Sequence, residues 1–247
     1  MNDKIKKTWT LVAGVLCVFV AQATITFTDL TDNYELSASA AQATTQFRAN
    51  SSLTLKLADA ATDGTFEIKS SFYIPDGVTL TVTVPEGVTG VKIRMKGGLR
   101  GTGTVAFGAG AYGFSGLLDV QEGVVDLTNA GELAAVTACG PGTLRGATVT
   151  RLTLKETLDD GTVVGAPVLD GVTAGSVVVD LGHDETDPLD PESLKVLPVA
   201  TVASGTSVGR WKLAGTGVPK LKGSFVLEDN KVVLKSASIS GMLLIVR

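Results

Sequence analysis

An acidic residue followed by glycine and then a β-branched residue recurs six times along the chain. The copies are Asp63-Gly64-Thr65, Asp76-Gly77-Val78, Glu86-Gly87-Val88, Glu122-Gly123-Val124, Asp160-Gly161-Thr162 and Asp170-Gly171-Val172. Glycine takes the positive φ that a tight turn needs, and a nearby carboxylate bonds turn backbone. The β-branched residue that follows suits a pleated, half-buried surface. Strand-like runs come next: Thr65–Ile68, Val78–Val84 and Val124–Leu127. A unit that ends in a turn and restarts a strand, copy after copy, predicts a stacked β array.

The spacing sharpens that expectation. Glycine-led strands start at Gly103, Gly123, Gly142 and Gly161, a steady period of about 20 residues, as one turn of a β-solenoid requires. Val105, Val125, Leu144 and Val163 each stand two places after their glycine, so they are expected to stack as one interior column. The fold class expected is all-β, a right-handed parallel β-helix with an antiparallel C-terminal cap. A β-sandwich is the rival over residues 64–96, where the glycines come closer together.

The expected divisions are a signal peptide at 1–23, an N-terminal cap at 24–62, solenoid repeats at 63–182, and an acidic loop with a β cap at 183–247. Lys4, Lys6 and Lys7 precede an apolar run from Leu11 to Val20 and then Ala21-Gln22-Ala23, the layout of a cleaved export signal. The run is too short for a membrane span, which takes about 20 residues. Cys17 invites a lipoprotein reading, but Leu16 before it is larger than such sites use. Within 24–62, Ala38 to Ala43 reads as a helical turn or a loose cap, and Ser52–Leu57 as an alternating strand. At the far end, Glu228-Asp229-Asn230-Lys231 reads as a hairpin turn.

Composition narrows the function classes. Glycine supplies 29 of 247 residues, well above the usual ~7%, while aromatics are 5%, so burial must come from aliphatic side chains in thin layers. The formal charge of −4 argues against a nucleic-acid partner, which calls for a basic surface. After signal removal Cys139 is the remaining cysteine and His183 the single histidine, so no disulfide framework, nucleophile–base pair or zinc cluster is written here. No catalytic residue and no cofactor is expected.

Three runs carry a resemblance to a known family. Gly101-Thr102-Gly103-Thr104-Val105-Ala106-Phe107, Tyr112-Gly113-Phe114-Ser115-Gly116 and Leu118-Asp119-Val120-Gln121-Glu122-Gly123-Val124-Val125-Asp126-Leu127 resemble autotransporter-associated β-strand repeats. The likeness is close over 97–182 and looser to the end, where Leu194–Thr201 and Trp211 are similar to the closing segment of such passenger regions. It implies a right-handed parallel β-helix displayed at the cell surface, and no catalytic residues. A translocator barrel of tilted strands has no counterpart after Gly182, so the expectation is a stand-alone passenger, secreted or surface-associated.

The sharpest candidate site is the acidic loop. Asp184, Glu185, Asp187 and Asp190, with Glu192 near by, supply oxygens of the type Ca²⁺ prefers, although the spacing matches no EF-hand. A solvated, proline-stiffened loop is the plain alternative. Asp126, Arg145 and Arg151 raise polysaccharide cleavage, as lyase or hydrolase, as the enzymatic rival. Tyr73, Tyr112, Phe114 and Trp211 are scattered for a sugar platform, and Lys92-Ile93-Arg94-Met95-Lys96 reads as one strand's polar face. The expected function is a structural, adhesin-like surface solenoid, with cell-surface polysaccharide or protein as partner and no membrane span in the mature chain.

Overall fold

Stacked glycine corners divide the chain into short strands that pair with their equivalents one turn away. The computed structural model describes residues 27–42, 46–58, 65–83, 91–95, 98–109, 112–114, 117–156, 165–188, 196–217 and 221–239. The signal segment 1–23, Asp63-Gly64, Glu86-Gly87-Val88, Asp160-Gly161-Thr162, Val163, Asp190 and Glu192 lie outside the described residues.

In chain order the elements are β1 (Phe27–Asp29), β2 (Tyr34–Leu36), α1 (Ala38–Gln42), β3 (Gln46–Arg48), β4 (Leu53–Leu57), β5 (Thr65–Ile68), β6 (Ser71–Tyr73) and β7 (Thr79–Thr83). Next are β8 (Val91–Met95), β9 (Leu99–Arg100), β10 (Thr104–Phe107), β11 (Tyr112–Phe114), β12 (Leu117–Asp119) and β13 (Val124–Asp126). Then follow β14 (Glu132–Cys139), β15 (Thr143–Arg145), β16 (Thr148–Lys155), β17 (Val168–Asp170) and β18 (Thr173–His183). The last four are β19 (Val196–Val202), β20 (Ser207–Thr216), β21 (Leu221–Glu228) and β22 (Lys231–Ile239).

These strands stack into faces of one parallel β-helix. The first face is β1-β3-β6-β9, and a parallel bridge from Leu99 to Val120 carries it on into β12-β14-β16-β18-β20. The second runs β2-β4-β7-β10-β13-β15-β17-β19, parallel throughout, and ends in β22 and β21, both antiparallel. The third is β5-β8-β11. Parallel pairing therefore begins at β1–β3 and β2–β4 and persists through β17–β19 and β18–β20, on both sides of the 63–182 repeat region. Over residues 64–96 the pairing is parallel too, β5 with β8 and β7 with β10, so the sandwich alternative does not apply.

The third corner vanishes at β14. Only Thr137–Cys139 pair with β12, and the earlier part of β14 packs on β11, so one long strand covers what two short ones covered below. Glu132–Cys139 holds no glycine or proline, which suits one unbroken strand, and the longer strands above it on this face, β18 and β20, run on through Gly175 and Gly209.

The interior is built of aligned columns. On the second face Leu53, Leu80, Val105, Val125, Leu144 and Leu169 are register partners in succession, all buried. Three members of the expected column, Val105, Val125 and Leu144, thus stack as read. The described partner after Leu144 is Leu169, because that turn is longer than the two before it. On the first face Phe47 and Phe72 stack with centroids 5.7 Å apart and an interplanar angle of 22°. Burying each such aliphatic or aromatic side chain contributes about 1.5–3 kcal/mol.

Glycine has two jobs at the corners. Gly77, Gly123 and Gly171, the described members of the acidic–glycine repeat, hold φ of +70°, +68° and +61°. Many corner glycines are also needed for space: a Cβ on Gly123 would lie 2.4 Å from the Gly103 carbonyl oxygen and 2.5 Å from that of Gly101. The acidic neighbours act differently from expectation. Glu122 accepts the Gly101 N–H, one turn below, at 2.9 Å, and Asp170 accepts Arg145 Nε at 2.8 Å. Rungs lie ~4.8 Å apart, so an adjacent corner is within reach of these side chains.

Both ends carry closing elements. The Ser37 hydroxyl accepts the Ala40 N–H at 3.2 Å as an N-cap, and α1 packs on β5, at the open edge of the third face. At the other end Asp229 and Asn230 have φ of +46° and +64°, the type I′ signature, and join β21 to β22. Trp211 and Phe225, rings 5.6 Å apart, rest on the last layer of the core.

Candidate functional site

Alternation along β1, β3, β6 and β9 turns Phe47, Phe72 and Leu99 inward and their neighbours outward. Two outward columns result. One is Phe27, Gln46 and Ser71; the other is Asp29, Arg48, Tyr73 and Arg100, matched residue for residue by the ladder. Between them lies a groove of ≈ 490 Å³, lined by Phe27, Gln46, Ser71, Tyr73, Arg100 and Glu122 above the buried Phe72. That volume falls in the range of roughly 300–1,000 Å³ that small-ligand sites occupy.

Its side chains are held in place. The Phe27 and Tyr73 rings meet at 5.7 Å, tilted by 49°, and Tyr73 stays 40% exposed. Arg48 sits beside them, its guanidinium carbon 5.4 Å from the Phe27 centroid. The same guanidinium grips Asp29 through two bonds, of 2.7 and 3.1 Å. That hydrogen bond holds the Asp29 carboxyl below its ordinary value. Arg100 Nη1 donates to Gln121 Oε1 at 2.9 Å, and Gln121 Nε2 to Asp119 Oδ2 at 3.3 Å. Glu122 is fixed by its bond to Gly101.

The acidic loop is organised for itself. Asp184 Oδ1 accepts the Thr186 N–H at 2.8 Å, the Thr186 hydroxyl at 2.6 Å and the Asp187 N–H at 3.0 Å. Those bonds, the Thr186 hydroxyl first, depress the Asp184 carboxyl. His183 Nδ1 lies 3.1 Å from the Asp187 carbonyl and 3.7 Å from its carboxylate. Glu185 and Asp187 are exposed, and Asp190 is outside the described residues. Among the described residues, no group of three or more His, Cys, Asp or Glu converges on a common point.

The residues raised for polysaccharide cleavage separate as well. Asp126, Arg145 and Asp170 are register neighbours on the second face, whereas Arg151 belongs to β16 on the first. Asp126 Oδ1 accepts the Thr128 N–H at 2.9 Å. Cys139 is buried, its sulfur 3.9 Å from Asp119 Oδ1. The side chains of 91–97, 112 and 114 lie outside the described residues. No described helix is long and apolar enough to cross a membrane.

Glu156 was not singled out by sequence. It stands just past the end of β16, two places after the buried Leu154, is half-buried, and lines a cleft of ≈ 30 Å³ with Pro167, Leu181 and Pro198. Burial pushes its carboxyl above the ordinary value, opposed by the His183 imidazole. A raised carboxyl favours the protonated fold, so that stabilisation is present below pH 4.5 and lost as pH rises through the folded value. Glu156→Gln should therefore raise the thermal midpoint at pH 7, with the gain closing below about pH 4. A pH series of melting curves checks this, and a gain that persists in acid would count against it.

Sequence reading missed the groove because its second column advances by unequal steps, from Asp29 to Arg48, Tyr73 and Arg100, with no constant period to align by eye. Alternating outward residues in the Phe27–Asp29 and Gln46–Arg48 segments were the available signal. No protein-family model, curated protein or solved structure matches the chain.

Proposed function

We propose that this chain is an exported structural and adhesive β-solenoid that works in the secreted fraction or at the outer cell surface, in the manner of an autotransporter-like passenger. The observation that carries the reading is the first face itself. In β1, β3, β6 and β9 its short parallel strands present outward side chains in straight columns, locked from rung to rung by Arg48–Asp29 and Arg100–Gln121. A scaffold of this kind holds contact groups rigidly without chain entropy to lose on binding. The layout of residues 1–23 supplies the route out of the cell.

The test follows the full chain, tagged near its C terminus, in the cells that make it. The tag should appear in the medium or be removed by protease added to intact cells. Deleting residues 1–23 should retain it inside. A full-length chain that stays in the cytosol with residues 1–23 uncut would overturn the proposal.

A further inference from the structure

The groove between β1, β3, β6 and β9 has a lining that selects among ligand chemistries. Its aromatic part is the Phe27–Tyr73 pair, with Tyr73 exposed at 40% although it sits in a regular strand. Its polar part combines an amide, a hydroxyl, a guanidinium and a carboxylate: Gln46, Ser71, Arg100 and Glu122. Arg100 and Glu122 balance in charge, and the rim adds Arg48 and Asp29, already paired at 2.7 Å. A phosphate or sulfate ligand calls for an excess of cations, which this lining lacks. A divalent cation calls for several converging oxygens. A wholly apolar ligand would strip water from four polar side chains and give nothing back.

We infer that the groove is a binding site for a neutral saccharide, an inference that rests on the surface-adhesive reading above. A sugar ring offers a C–H face that packs on an aromatic ring and a rim of hydroxyls that both donate and accept. Tyr73 is the stacking platform. Arg100 donates to ring or hydroxyl oxygens, Glu122 accepts from hydroxyls, and Gln46 does both. The strands beneath are paired on both sides in β3 and β6, so the site is formed before ligand arrives. Phe27, two rungs away, packs its ring on Tyr73, and Arg48, on the rung between, lies over the Phe27 ring, so both act through the aromatic pair.

The experiment is a printed array of neutral and acidic glycans probed with the purified full chain, followed by calorimetric titration of the strongest binder. Neutral glycans should be retained. Tyr73→Ala and Arg100→Ala should each weaken binding about tenfold or more, while Tyr73→Phe keeps most of it. Leu227→Ala, at a residue 63% exposed in the C-terminal hairpin, should bind as wild type does. Unchanged melting curves for the variants separate lost contacts from lost fold. Retention of acidic glycans alone, no retention at all, or undiminished binding by Tyr73→Ala would each overturn the inference. Because the array uses purified protein, a chain that is exported but binds no sugar sinks this inference alone. A chain that binds sugar yet stays in the cytosol sinks the surface reading instead.

Discussion

Leu144→Ala is expected to lower the unfolding free energy by about 2–5 kcal/mol, the cost of deleting a fully buried leucine with partial collapse around the void. Leu144 is 0% exposed and lies between Val125 and Leu169 in the second-face column. Stability in a stacked array is close to a sum of rung terms and nearest-neighbour interfaces. A void here weakens two interfaces at once and marks a place where the array can come apart in halves. The expected melt is lower and broader than wild type, with loss of a single sharp transition. Leu53→Ala is the comparison: Leu53 stands near the start of the same column, 6% exposed, and should cost less. Calorimetry with denaturant titration reads both. Equal costs at the two positions would contradict a stability built from neighbouring rungs.

Gly123→Ala should be more damaging than Gly77→Ala by several kcal/mol, although the two glycines have nearly the same φ, +68° and +70°. A residue with a Cβ in the left-handed region costs about 1–2 kcal/mol, and that sum applies to both. Gly77 has nothing within 4 Å of where its Cβ would stand, so its substitution stops there. Gly123 would drive a methyl into the Gly101 and Gly103 carbonyls. Relief requires the corners to part, which breaks the bond from Val124 N–H to Gly103 O, now 2.9 Å. The total enters the range above about 4 kcal/mol that only a few mechanisms reach. Matching losses for the two variants would show that φ alone explains the corner glycines, and that their stacking costs nothing.

How much of this was legible follows from what each signal measures. Turn chemistry is local, so Gly123 at positive φ and the Asp229-Asn230 turn could be read directly. Column membership needs a constant period, and it was readable through Val105, Val125 and Leu144 while consecutive rungs kept nearly the same length. It failed at the next rung, where the chain takes a longer path to Leu169. The α1 helix was one of two readings for its segment, and the Ser37 cap, a short-range bond, decided between them. Partners across rungs were not legible. Glu122 and Asp170 looked like caps of their own turns and instead serve the rung below. The acidic loop shows the reverse: composition suggested a shared cation site, while Asp184 spends its Oδ1 on its own loop. Tyr73 looked scattered because its companions Phe27 and Arg100 are distant in sequence and adjacent only in the stack.

The register of the second face holds while rung length changes. Leu144 follows Val125 after a short turn, and Val202 follows Leu169 in the same ladder only after the acidic loop has intervened. Eight parallel strands make seven steps of about 4.8 Å, a stack of about 34 Å. Height is therefore counted in corners, and girth in the residues between them. Such a chain can acquire sequence sideways, at loops between corners, and keep its axial length and its interior unaltered. Lengthening it takes a whole turn, duplicated with its glycine.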